Sequence, residues 1–166
     1  MILVAVLVKL SSPGPVLYWS NRVGQANRIF KMPKFRSMQM DAPNLATHLL
    51  IDSSRWISPI GAFLRKTSID ELPQLWSIVK GDMSLVGPRP ALYNQHDLIE
   101  MRTQAEVHKL MPGLTGWAQV NGRDAITIAE KVRFDEEYLQ KRSFVFDLWI
   151  LLLTFSSVIR RVGVSH

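Results

Sequence analysis

The chain has 166 residues, of which 47% are hydrophobic, and a formal net charge of +6. This length and apolar content suffice for one compact domain with a hydrophobic core, and they disfavour a disordered chain. There is no cysteine, and the four histidines have no metal-site spacing. Disulfide-stabilised and thiolate metal-binding proteins are therefore excluded.

The positive charge is concentrated at the amino terminus. Residues 1–40 contain six basic and no acidic side chains, whereas the rest of the chain contains fourteen of each. A basic block of this kind can face nucleic acid, a phosphorylated ligand or the anionic surface of a membrane. It lacks the stacking platform typical of single-strand binders, and it adjoins an apolar run. We therefore expect no nucleic-acid partner.

Both ends of the chain are apolar. Residues 1–8 are uninterrupted apolar side chains, and as a helix they reach about half of a ~30 Å hydrocarbon core. Residues 144–161 are also strongly apolar and carry a narrow polar stripe, which fits a helix in a membrane interface. A buried core element is the alternative for each run. With the basic block beside them, the two runs predict a monotopic protein that rests on a membrane.

Between these ends the pattern predicts mostly short helices and a minor β component. Pro73 suits the first turn of a helix that Gly81 ends, and Thr127 with Glu130 forms a capping-box signature. The predicted elements are a hairpin with strands over 16–20 and 28–35, and helices after residue 59, over 70–81, over 94–110 and over 127–142. The predicted fold class is α+β, in a single domain over residues 1–166.

Two adjacent carboxylates, Asp70 and Glu71, stand between the arginines Arg65 and Arg89. This arrangement suits phosphate chemistry, because guanidinium groups hold phosphate oxygens while a carboxylate attacks phosphorus or binds a metal. A helix amino terminus would add positive potential. The alternative is local capping, since Thr67 and the serine after it stand three residues before the two acids.

Three further segments carry candidate ligands for phosphate or nucleotide. Arg89 lies between two prolines, which present its side chain from a stiff loop, although an exposed turn would look similar. Arg123 ends a glycine-rich block that could line a nucleotide pocket or form an ordinary loop and strand. Arg36 lies in a basic segment that is ambiguous in the same way.

Taken in order, these blocks resemble the bacterial sugar transferase family. Its members are monotopic phosphoglycosyl transferases that begin capsule, exopolysaccharide and glycoconjugate assembly, and the likeness is strongest to members from capsule gene clusters. The matching blocks are residues 12–16, 34–38, 65–75, 80–90 and 112–123.

The resemblance implies transfer of a sugar 1-phosphate from a UDP-sugar to undecaprenyl phosphate, with release of UMP and dependence on Mg²⁺. Asp70 matches the residue expected to attack the β-phosphorus, to form a covalent phosphosugar intermediate and to contact Mg²⁺. Glu71 is expected to assist. Arg65 and Arg89 match phosphate-binding positions, and Arg123 is a candidate for the nucleotide side.

The resemblance also implies a place for the protein, the cytoplasmic face of the bacterial inner membrane, in contact with membrane lipids. Residues 1–12 match only the returning half of the family's re-entrant membrane helix, so we expect that helix to be truncated. A non-catalytic or truncated scaffold of the same fold at the membrane surface is the alternative function.

Overall fold

The computed structural model describes residues 1–42, 53–122 and 125–160. They form short helices and two small sheets, so the predicted α+β class is confirmed. The helices are α1 Ile2–Ser11, α2 Pro59–Thr67, α3 Leu75–Lys80, α4 His96–Gln104, α5 Trp117–Val120, α6 Ile128–Lys141 and α7 Phe144–Arg160. The strands are β1 Leu17–Val23, β2 Ile29–Phe35, β3 Ser84–Val86 and β4 Gly113–Thr115. Short 3-10 segments lie at Gln25–Asn27, Ser53–Trp56, Ile69–Gln74 and Val107–Lys109.

The chain divides into two compact units. The first comprises Met1–Ser20 and Met32–Gln74, and the second comprises Asn21–Lys31 and Leu75–Ser165. The predicted hairpin of β1 and β2 is present, and it gives its base to the first unit and its tip to the second. The single domain over residues 1–166 stays a prediction.

The first unit packs α1, the base of the hairpin and α2 around a small apolar core. Val8 of α1, Phe35 of β2 and Leu64 of α2 are each at most 3% exposed. Gly61 lies so close to the segment that follows β2 that an added Cβ would be 2.0 Å from the Ser37 carbonyl oxygen. Because α2 has a glycine at this contact, it can pack directly against the backbone that follows β2.

The second unit contains a two-stranded parallel sheet that the sequence pattern does not predict. Ser84 of β3 pairs with Gly113 of β4, and Val86 pairs with Thr115. Strands of three residues are too short to show an alternating pattern, which explains why they are not detected. The sheet supports the loop after β3, which contains Arg89.

Helices α6 and α7 follow one another in the second unit. Helix α6 has the predicted capping box, in which the Thr127 hydroxyl accepts from the Glu130 N–H at 3.2 Å. The Tyr138 hydroxyl of α6 donates to Asp147 Oδ1 of α7 at 2.8 Å. Burial and this bond to an anion raise the pKa of Tyr138 above its ordinary value.

The helix predicted from residue 70 to 81 is wrong in its first half. Residues Ile69–Gln74 form a 3-10 segment, and only Leu75–Lys80 is α-helical. The N–H of Glu71 donates to the Ser68 carbonyl oxygen three residues back, and Pro73 has no N–H to offer. Asp70 and Glu71 therefore lie in the first turn of a 3-10 segment and not at the amino terminus of an α-helix.

The helix predicted over residues 94–110 consists of two pieces. Helix α4 ends at Gln104, and Glu106 adopts a left-handed φ of 58° before a 3-10 turn, which interrupts the helical path. Two predicted helix boundaries agree with the structure. Helix α2 begins at Pro59, and Gly81, with a φ of 86°, ends α3.

Both terminal helices expose large apolar side chains. Ile2 and Leu10 of α1 are 83% and 79% exposed, and Phe144 and Phe155 of α7 are 83% and 68% exposed. None of the helices in the described ranges combines the length and apolar character needed to cross a membrane. Of the run predicted over 144–161, the last residue, Arg161, lies outside the described residues.

Candidate active site

The predicted nucleophile, Asp70, is a buried carboxylate in the first unit. Helix α2 ends at Thr67, and Ser68 then takes the left-handed φ of 57°, so the chain turns back over the end of the helix. Asp70 is only 7% exposed. The Thr67 hydroxyl donates to the carbonyl oxygens of Phe63 and Leu64, so it interacts with the last turn of α2.

Arg65 stands at the end of α2 and interacts with both acids. Burial lowers the pKa of Arg65, and the negative charges of Asp70 and Glu71 oppose that shift. The Arg65 Nε donates to the Ser37 hydroxyl at 2.9 Å, which orients the guanidinium. The structure therefore brings Arg65 and the two carboxylates together, as the sequence predicts.

Lys34 of β2 holds the second acid. Its Nζ lies 3.0 Å from Glu71 Oε1, and the two side chains are 16% and 13% exposed. A partly buried pair of this kind neutralises the charge of Glu71 and limits where its carboxylate can point. Lys34 is a site residue that the sequence interpretation missed, although it lies in the same basic segment as Arg36.

Arg36 binds the backbone near the end of α1. Its Nη1 donates to the Pro13 carbonyl oxygen at 2.8 Å, and its Nη2 donates to the carbonyl and hydroxyl oxygens of Ser12 at 2.7 and 2.8 Å. Arg36 itself is 5% exposed. This environment favours an anchoring role, and the phosphate contact suggested by sequence stays a prediction.

Two further predicted arginines remain, Arg89 and Arg123. Arg89 is half-buried in the loop after β3, within the second unit. Arg123 lies outside the described residues.

The profile of the family described as "Bacterial sugar transferase" matches residues 1–161. The chain belongs to the bacterial sugar transferase family. The family predicted from the ordered blocks is therefore confirmed, and so is the predicted enzyme class, a transferase.

Curated relatives in the bacterial sugar transferase family are similar over nearly the whole chain. An uncharacterized sugar transferase, EpsL, of Bacillus subtilis is 42% identical over 96% of this chain and 78% of its own length. A UDP-glucose:undecaprenyl-phosphate glucose-1-phosphate transferase of Escherichia coli is 41% identical over 91% of this chain. A UDP-N-acetylgalactosamine-undecaprenyl-phosphate N-acetylgalactosaminephosphotransferase of Aeromonas hydrophila is 38% identical over 98% of it. The chain spans only 34% and 40% of the length of these last two relatives.

The chemistry of the acid pair fits the Mg²⁺ that the family resemblance implies. Mg²⁺ retains several waters and is bound through one or two carboxylates together with substrate phosphates. Asp70 and Glu71 supply two carboxylates, of which one Glu71 oxygen already accepts from Lys34. The described part of the chain has no group of three or more potential metal-binding side chains, so a dedicated protein cage is not formed there.

One buried amide close to the acid pair in sequence also has hydrogen-bonding capacity. Gln74 is 1% exposed, and its Nε2 has no hydrogen-bond partner among the described residues. A buried donor without a partner is unfavourable unless a ligand or water accepts from it. Gln74 is therefore a second residue of interest that the sequence interpretation missed, and its position in the 65–75 block was the available signal.

Proposed function

We propose that this chain transfers a sugar 1-phosphate from a UDP-sugar to undecaprenyl phosphate and releases UMP. Membership of the bacterial sugar transferase family supports the general reaction. The observation that carries the proposal is the buried carboxylate of Asp70, which shares its surroundings with the Arg65 guanidinium. The relatives' names mention glucose and N-acetylgalactosamine, so the proposal covers UDP-sugars as a class.

In the first step a carboxylate oxygen of Asp70 attacks the β-phosphorus of the UDP-sugar. A bond forms between that oxygen and phosphorus, and the bond from phosphorus to the bridging oxygen breaks. UMP leaves with the electron pair of the broken bond, and the sugar phosphate stays on Asp70. Arg65 stabilises the phosphate charge during this exchange, which is the main requirement of phosphoryl transfer.

In the second step a phosphate oxygen of undecaprenyl phosphate attacks the phosphorus held by Asp70. The new bond yields the lipid diphosphate sugar, and the bond between phosphorus and the Asp70 oxygen breaks, so Asp70 leaves with the electron pair and regains its carboxylate. Glu71, held by Lys34 at 3.0 Å, positions the groups around this exchange. Mg²⁺, bound by Asp70 and the substrate phosphates, would neutralise part of the phosphate charge.

The exposed apolar faces of α1 and α7 support a monotopic attachment to the bacterial inner membrane. Both helices expose residues that interact favourably with the acyl region near the headgroups. The active site is then proposed to face the cytoplasm, where UDP-sugars are made available to it. Attachment in this manner also explains how a polar site meets a lipid-linked phosphate.

The proposal is tested by incubating the protein in membranes with a panel of UDP-sugars, Mg²⁺ and undecaprenyl phosphate. We expect UMP release with at least one sugar, and a drop of at least about a thousandfold in Asp70→Asn. Without the lipid acceptor, intact mass should reveal a sugar phosphate on the unaltered protein and none on Asp70→Asn.

Asp97→Asn is the matched control, because this aspartate is exposed at the start of α4 in the second unit. It should release UMP at the normal rate. If Asp70→Asn is as fast as the unaltered protein, the nucleophile is wrongly assigned. If no UDP-sugar yields UMP, the non-catalytic scaffold becomes the better account.

A further inference from the structure

The loop that carries Arg89 is held through its backbone by several different elements of the second unit. The Gly87 N–H donates to the Thr115 carbonyl oxygen in β4, and the carbonyl oxygens of residues 88–91 each accept a hydrogen bond. The donors to residues 88, 89, 90 and 91 are, in order, Gly113 N–H at 2.9 Å, Arg102 Nη1 at 2.7 Å, Arg22 Nη1 at 3.2 Å and Val23 N–H at 2.9 Å. An irregular segment with all of these carbonyls bonded has little freedom to change shape.

Arg102 is the donor to Arg89 itself, and it is part of a buried ion pair. Its Nε and Nη2 both donate to Asp135 Oδ2, at 2.9 and 2.6 Å. Arg102 is 9% exposed and Asp135 is 1% exposed. The guanidinium therefore joins α4, α6 and the Arg89 loop through one planar group.

A buried ion pair is weak evidence for a role in stability. The desolvation of two charges offsets much of their attraction, and apolar replacements of similar volume are often neutral or stabilising. Burial raises the pKa of Asp135 and the Arg102 charge opposes it, as expected where desolvation and attraction compete. Apolar replacements of Arg102 and Asp135 would, however, leave the Arg89 carbonyl oxygen without its Arg102 donor.

We propose that Arg102 and Asp135 are positioning residues for Arg89, and that they orient its guanidinium to bind a phosphate of the UDP group. Asp135 fixes the plane of the Arg102 guanidinium, and the third nitrogen of that guanidinium fixes the Arg89 backbone. Proline on either side of Arg89 limits φ at both neighbours, and the Arg102 Nη1 contact fixes the carbonyl of Arg89 itself. This inference rests on the proposed function and on the predicted phosphate contact of Arg89.

The test measures equilibrium binding of UDP by the intact protein, because binding does not depend on turnover. The variants are Arg89→Ala, the pair Arg102→Met with Asp135→Leu, and the three changes together. The paired change removes both charges at once, so no buried charge is left alone and the fold is retained, which thermal unfolding checks. Lys109→Met removes an exposed ion pair with Glu106 and is the control.

We expect Arg89→Ala to weaken UDP binding about tenfold, as loss of one charge-assisted contact would. The paired change should weaken it by a similar factor, and the three changes together should be no weaker than Arg89→Ala alone. Lys109→Met should bind UDP normally. Hydrogen exchange at residues 87–92 should be faster in the paired variant, which reports the loop directly.

Several outcomes would overturn the inference. One is that the paired variant binds UDP normally while Arg89→Ala binds it more weakly. Another is that the losses of UDP affinity multiply in the triple variant. A third is that Arg89→Ala leaves UDP affinity unchanged. Absence of UDP binding by the unaltered protein would overturn it as well. If UDP binds and responds as expected but no UMP is released, the positioning role stands and the proposed transferase function fails.

Discussion

Lys34 Nζ lies 3.0 Å from Glu71 Oε1, and the two residues are 37 positions apart in the sequence. The pair joins strand β2 to the segment that carries both acids. Its side chains are mostly buried, so the bond is not weakened by solvent as a surface pair would be. Glu71 thus has a defined partner that no local pattern in the sequence indicates.

Lys34→Met should lower the free energy of unfolding by about 2 kcal/mol, because a partly buried carboxylate loses its charged donor. Glu71→Gln removes that charge, so Lys34→Met should be less damaging in the Glu71→Gln background. Urea unfolding of the unaltered protein, Lys34→Met, Glu71→Gln and the double variant measures both effects. Lys31→Met is the control, since Lys31 is exposed on the same strand and should change stability little. Equal losses in both backgrounds would mean that the pair contributes nothing.

Arg36→Met should affect stability more than nucleotide binding. Three donated hydrogen bonds to Ser12 and Pro13 are lost, and they are partly shielded from solvent by the buried Arg36 side chain. We expect the Tm to fall by about 5–10 °C, with UDP affinity within about twofold of normal. Thermal unfolding and equilibrium binding check the two expectations. An unchanged Tm with strongly weakened UDP binding would instead support the phosphate contact suggested by sequence.

Gly14→Ala should disturb the same anchor by a steric route. Gly14 has a φ of 120°, and an added Cβ would lie 2.2 Å from Arg36 Nη1. Gly81→Ala is the matched control, because Gly81 has a φ of 86° but no atom within 4 Å of an added Cβ. Both substitutions strain the backbone, by about 1–2 kcal/mol, and only the first also clashes. The difference in Tm between them measures the clash, and no difference would contradict the close contact.

Alkaline pH should weaken the link between α6 and α7. The pKa of Tyr138 is raised above its ordinary value of 10.0 by burial and by Asp147. The folded state therefore holds this proton more tightly than the unfolded chain, so its contribution is complete below about pH 10 and is lost as the pH rises further.

Tyr138→Phe isolates that contribution because it removes the titrating group and keeps the ring. We expect the Tm of the unaltered protein to fall as the pH rises above about 10, and that of Tyr138→Phe to fall less over the same range. Thermal unfolding at matched ionic strength measures both. Parallel pH profiles would show that Tyr138 does not contribute.

Local signals allowed much of the chain to be predicted. The Thr127 capping box, Pro59 at the start of α2 and Gly81 at the end of α3 are set by neighbouring residues, so their sequence signatures are direct. The segment around Asp70 was harder, because a proline and a left-handed Ser68 make a 3-10 path where the pattern resembles an α-helix. The parallel strands β3 and β4 were missed because three residues are too few to show an alternating pattern, and because the two strands that pair are distant in the chain.

The sequence by itself determined the types of chemical group and their order, which is why the acid pair and the family could be recognised. Only the tertiary structure decided their partners: Lys34 for Glu71, Ser37 for Arg65, the end of α1 for Arg36, and Arg102 for the Arg89 backbone. The physical reason is that charged side chains of one type look alike in a sequence. Packing alone selects which of them lie within hydrogen-bonding distance of one another, and therefore which carboxylate or carbonyl oxygen each of them binds.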